Sequence, residues 1–139
     1  MWWELAQNPR VVLAYYSHPP PLIGVEIHSI RLHRDGPQLE LVADLPRFPD
    51  RPSPRWPAGA NVAQANLRFF DLREVAFSGW GTTNVGDLLI EDGGGTVRFR
   101  FESIAARISG VAGFFDVPSI TGYINGESEP AAALDPGGM

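Results

Sequence analysis

With 139 residues, 44% of them hydrophobic and 19% charged, the chain has ordinary globular composition in an amount that fits one domain better than two. It has no cysteine, which excludes a disulfide framework or a thiolate zinc site and fits a cytoplasmic protein. The net charge is −5, but three of the 16 acids (Glu127, Glu129, Asp135) follow Gly126, leaving 13 acids against all 11 bases, and a body so close to neutral argues against binding nucleic acid by phosphate neutralisation.

All 11 bases are Arg, which reads as the codon bias of a GC-rich genome. The 15 Gly and 13 Pro point to many turns and short strands. No apolar run approaches the length of a membrane span, and Met1–Leu5 lacks the basic and apolar blocks of a secretory signal.

The first predicted element is helical and in two pieces over residues 2 to about 16. Trp2 and Leu5, then Val12, Leu13 and Tyr16, recur at near-helical spacing. Asn8 is placed to cap the second piece, with Pro9 at its first position, and His18-Pro19-Pro20-Pro21 ends it. Strands follow. Val25–Arg34 is rich in β-branched residues, Asp35-Gly36 supplies a turn, and Leu39–Leu45 alternates. Pro37 cannot close a two-residue turn, so a longer loop or an edge location is expected. Val25 and Ile27 share one face while Ile30 and Leu32 share the other; a bulge near His28 or Ser29 would restore a single core face.

Residues 46–60 hold five prolines and read as an extended connection. Strands are then expected over Val62–Phe70, Glu74–Trp80, Asp87–Asp92 and Thr96–Glu102, the last two joined by Gly93-Gly94-Gly95. There Val97, Phe99 and Phe101 point one way and Arg98, Arg100 and Glu102 the other. Ala106, Ile108, Ala112 and Phe114 share a parity, Pro118 breaks the run, and Ile120–Ile124 forms a final strand. The fold class is mainly β (β-rich α+β): about eight mostly antiparallel strands in a meander, as a sandwich or partly closed barrel, with a short N-terminal helical segment. Residues 1–125 form the domain, and residues 126–139 read as a disordered tail.

Catalytic constellations are not apparent. His28 and His33 lie on opposite faces of a regular strand and lack a further ligand at a telling spacing, so they read as structural or surface residues and no metal is expected. There is no G-x-S-x-G or S-x-x-K motif, and Gly93–Gly95 joins two strands rather than opening a helix, so it is a hairpin loop and not a phosphate cradle. Asp44 and Asp71 stand beside strand ends as turn-forming acids. No cofactor is expected.

The most distinctive segment is Gly79-Trp80-Gly81-Thr82-Thr83-Asn84-Val85-Gly86-Asp87-Leu88. Trp80 either closes one end of the core or binds a partner directly, and Asn84 and Asp87 are loop-shaping residues. Trp56, in the stiff proline-rich connection, is either an exposed contact anchor or a lid on the core.

The N-terminal tryptophans, LIGVEIHSIRLHRDGPQLELVADLP, FPDRPSPRW, FSGWGTTNVGDL and ITGYING, in this order and spacing over roughly residues 2–126, together resemble the immunity protein 50 family of bacterial polymorphic toxin systems. The resemblance implies a cytoplasmic, non-enzymatic protein whose partner is a cognate toxin protein, occluded at its active or partner surface. It carries Trp56, Trp80, Asn84 and Asp87 as signature residues of unassigned role. The alternative is a small-ligand or carbohydrate-binding β module, with Trp56, Tyr15 and Tyr16 exposed for stacking. A third reading is a small enzyme with paired carboxylates.

Overall fold

Alternating apolar residues at Val25 and Ile27, at Leu39, Leu41 and Ala43, at Ala63 to Phe69 and at Val97 to Phe101 give successive strands one apolar face each. Closing the sheet on itself buries all of these faces together. In the computed structural model, which describes residues 1–126, a 3-10 turn (Trp2–Leu5) and helix α1 (Pro9–Tyr15) precede six strands: β1 (Ile23–His33), β2 (Gln38–Asp44), β3 (Val62–Ser78), β4 (Val85–Asp92), β5 (Val97–Ser103) and β6 (Arg107–Tyr123). The strands close into an antiparallel barrel in the order β1-β2-β3-β6-β5-β4. The tail expected from residue 126 lies, apart from Gly126, outside the described residues.

The mainly β class holds, with six strands in place of eight. Two pairs of predicted strands are single long strands that bend. β3 continues through Asp71, whose positive φ of 52° turns a corner, and pairs with β6 from Val62↔Tyr123 to Ser78↔Arg107. β6 continues through Pro118, which lies at a register shift between the pairs of Asn66 and Arg68. There β5 has already ended its pairing, at Val97↔Ala112, so the missing proline N–H breaks no ladder on that side. The chain is also not one meander. It is two three-stranded meanders, joined by β3 against β6 and by β4 against β1.

Other local readings are met. The register of β1 against β2 shifts between Ile27↔Ala43 and Ser29↔Val42, so the bulge falls at His28. Pro37 ends a four-residue loop, and Gly93 closes its hairpin by donating to the Thr96 carbonyl. Phe114 is a correction: it faces outward, stacked on Phe70, and Phe115 is fully buried instead. The inward parity changes at residue 113, opposite the Asp71 corner.

The interior is filled. Phe69 stacks on Phe99 and Phe115 at centroid distances of 4.2 and 5.3 Å, with Phe101, Leu39, Leu41, Leu67 and Ile108 around them. Strands of unequal length leave edges unpaired, and the N-terminal segment covers one of them. Beyond Ala112, β6 lacks β5 as a neighbour; there the Gln7 N–H donates to the Phe115 carbonyl at 2.8 Å. The Asn8 side chain donates to the Val117 carbonyl at 2.8 Å and accepts from the Val117 N–H at 2.9 Å. Asn8 therefore stands at the start of α1, as predicted, but its amide does not cap the helix; it imitates a strand neighbour for β6. Trp2, Val12 and Tyr16 are buried beneath this cover, with Trp2 Nε1 donating to the Pro20 carbonyl at 2.9 Å.

Candidate functional site

A second stretch of edge has no such cover. β1 pairs with β4 only over Ile23–Glu26, and the Ile27 N–H donates to the Asn84 carbonyl just beyond. From His28 to His33, β1 has β2 on one side and no strand on the other. β3 loses β2 after Phe70 and continues past the Asp71 corner with β6 alone. Residues from both edges line one cleft of about 500 Å³, among them Ile30, Leu32, Phe77 and Trp80. The Leu72 N–H donates to the Pro37 carbonyl at 3.0 Å and ties β3 to the β1–β2 loop immediately after the corner.

The cleft's apolar residues lie on the core-facing side of the sheet. Cross-strand partners share a face. Ile30 and Leu32 pair with the buried Leu41 and Leu39, and Phe77 pairs with the buried Ile108. Yet Leu32 is 51% exposed and Phe77 46%. The bulge at His28 restored the apolar phase of β1, and then no element was laid over its upper half.

Trp80 stands beside them at the exit of β3, 49% exposed, so its indole does not close the core. The backbone around it is fixed by contact with the β5–β6 turn. Gly79 has φ of 74°, and a Cβ there would meet the Ala105 carbonyl oxygen at 2.3 Å. Asn84 is 2% exposed and ties the segment into a loop: its Oδ1 accepts from the Gly81 N–H at 2.9 Å and its Nδ2 donates to the Gly81 carbonyl at 2.7 Å. Asp87 accepts from the Gly24 N–H at 3.1 Å, pinning β4 to β1 where the barrel closes. Of the residues the resemblance marks, Trp80 presents surface, Asn84 ties the loop beside it and Asp87 joins β4 to β1.

The remaining predicted site residues lie in a separate place, on the plugged side. Trp56 is half-buried; it stacks on Tyr15 at 5.1 Å, meets Phe48 edge-on, and lies so close to Gly122 that a Cβ there would approach its ring at 2.3 Å. It fastens the proline-rich connection to the barrel. Tyr16, expected at the surface, is fully buried, and its hydroxyl donates to the Arg47 carbonyl at 2.5 Å. Burial pushes the Tyr16 pKa up, against the opposing pull of the Arg47 guanidinium. Tyr15 and Trp56 occupy each other's faces, so the three aromatics do not form a free stacking platform.

One polar cluster escaped the sequence reading. Glu26, His28 and Asp44 bring their ligand atoms within 4.8 Å of one another on the outside of the barrel. Asp44, predicted as a turn former, is the acceptor at its centre, 2.7 Å from His28 Nε2, 3.2 Å from Gln64 Nε2 and 2.5 Å from the Tyr123 hydroxyl. Its lone pairs are occupied by side chains from β1, β3 and β6, so the group stitches four strands together. The signal available in the sequence was the E-x-H spacing on β1, but the Glu26↔Asp44 register was needed to read it. Arg68 and Asp116 form a second cross-strand tie through two hydrogen bonds of 3.0 and 2.9 Å.

Among the described residues, no helix is long and apolar enough to cross a membrane. Comparison with known proteins gives one family: the model of immunity protein 50 matches residues 8–123. That span takes in all six strands, the bulge, the cleft and the proline-rich connection. No curated protein and no solved structure matches the chain.

Proposed function

The chain belongs to the immunity protein 50 family, and on that premise we propose that it acts in the cytoplasm of its producing cell by binding a cognate toxin protein and occluding that toxin's active or partner surface. The observation that carries this reading is the bare apolar surface at the cleft: large core-facing side chains left half-exposed on a rigid closed barrel. Contiguous exposed apolar residues on a rigid frame are what a protein interface uses as central anchors, with Trp the most effective.

The role needs no bond-making. The polar clusters are taken up by cross-strand ties, and a stable complex needs about 800 Å² per partner with a few anchors, which the barrel wall can supply. The alternative of a small-ligand module loses ground because the barrel interior is packed with Phe69, Phe99, Phe101 and Phe115 rather than hollow. The test is co-expression with each candidate toxin domain encoded in the genes flanking this chain's own. Restored growth, together with co-elution of the two purified proteins, is the expected outcome. Growth arrest with no complex overturns the proposal.

A further inference from the structure

We infer that the cleft between β1 and β3 receives an extended strand of the toxin, which pairs its backbone with the free strand edges. This deepens the immunity reading and rests on it. Three observations carry the inference.

The first is that both walls of the cleft end in strand edges without strand neighbours, β1 over residues 28–33 and β3 over residues 72–78. Such an edge presents a row of backbone donors and acceptors that an extended chain satisfies, and peptide recognition by strand addition uses this geometry. The second is the lining. Ile30, Leu32 and Phe77 point to the core side of their strands yet meet no cover, so an added strand with apolar residues at alternate positions would bury them as a native neighbour would. The third is what the molecule does at another unpaired edge. Along β6, residues 7 and 8 supply a backbone N–H and a side-chain amide to Phe115 and Val117, taking the place of the missing strand.

The occupant is not the chain's own end. Residues 127–139 lack the sequence pattern of an added strand. Their sequence, ESEPAAALDPGGM, contains Pro130 and Pro136 and no alternating apolar residues, so it does not suit a strand. The cleft favours no polyanion: its lining holds no Arg, and the nearby Arg31, Arg34 and Arg73 are paired with Glu40, Asp35 and Asp71. An uncharged, apolar strand matches such a rim.

The test uses the full chain and the purified toxin domain of the neighbouring gene. Hydrogen exchange of the complex is expected to show new protection of the edge-facing amides in residues 28–33 and 73–78. The pair Leu32→Ala and Phe77→Ala is expected to weaken the complex at least tenfold while leaving the circular dichroism and the unfolding midpoint nearly unchanged. Phe114→Ala, on the outer face of β6, serves as a control that leaves affinity intact. If the wild-type chain binds but protection falls elsewhere and the double variant binds equally well, strand docking at the cleft is wrong and the immunity reading stands. If the wild-type chain does not bind the toxin, the immunity reading itself fails. Protection of the same amides in the free chain, rising with concentration alongside a dimer in light scattering, identifies a second copy as the occupant and overturns the proposal.

Discussion

Several stretches of strand edge in this barrel lack a neighbouring strand, and two of them, along β6 and between β1 and β3, are treated differently by the chain. Along the far half of β6, Gln7 and Asn8 satisfy the backbone of Phe115 and Val117, and Trp2, Val12 and Tyr16 seal the apolar surface beneath. Between β1 and β3, comparable edges and comparable apolar residues stay bare. An uncovered edge is a liability for solubility, and a protein usually blunts it. Blunting one and leaving the other separates what the fold needs from what a partner would use.

The contrast is sharpest in how each region should answer to mutation. Tyr16→Ala removes a fully buried ring and the hydrogen bond to the Arg47 carbonyl. It should cost about 3–5 kcal/mol of folding stability, read from urea unfolding. Asn8→Ala leaves both backbone groups of Val117 without partners, for a loss of about 2 kcal/mol. Asn8→Asp should be no milder, because a carboxylate can accept from the Val117 N–H but faces the Val117 carbonyl with a second acceptor. Phe77→Ala, on the open side, should change stability by less than about 1 kcal/mol in the same measurement. A large loss there would mean the cleft belongs to the folding core, and the contrast would collapse.

The smallest effect is electrostatic and also belongs to the plugged side. Asp50, in the proline-rich connection, accepts from the Ser17 hydroxyl and from the Ser17 N–H at 2.9 Å. These hydrogen bonds, the hydroxyl's first, hold its carboxyl down to about 2. A depressed carboxylate stabilises the folded state above the ordinary value near 4, and that contribution is lost as pH falls through about 2. The group is fully exposed, so the visible result is a titration and not a change in melting. The Asp50 carboxyl carbon should titrate near 2 by NMR, and Ser17→Ala should move it upward. An unchanged midpoint in that variant would remove Ser17 as the cause.

Much of the barrel was legible because alternation is a local property. Val97, Phe99 and Phe101 face inward as read, and the slip in phase between Ile27 and Ile30 pointed to a bulge near His28 or Ser29, which falls at His28. The breaks at Asp71 and Pro118 misled because turn-forming residues look the same at the end of a strand and at a bend within one. Only the long-range partner tells the two apart, and the partner lies roughly 40 to 50 residues away. The candidate site was half-legible. Trp80 stood out between its glycines, but Leu32 was read only as part of a core face, Phe77 carried no local signal, and Tyr16 fitted both the apolar pattern of the helix and the exposed stacking of the small-ligand reading.

What the sequence by itself determined was the apolar side of most strands, the β1–β2 and β4–β5 hairpins and the family the chain resembles. Which of those apolar residues are covered was decided by the tertiary structure alone. Burial depends on what lies across from a residue, and here that is fixed by strands of unequal length closing a barrel, with the gap along β6 met by the N-terminus and the gap between β1 and β3 left open.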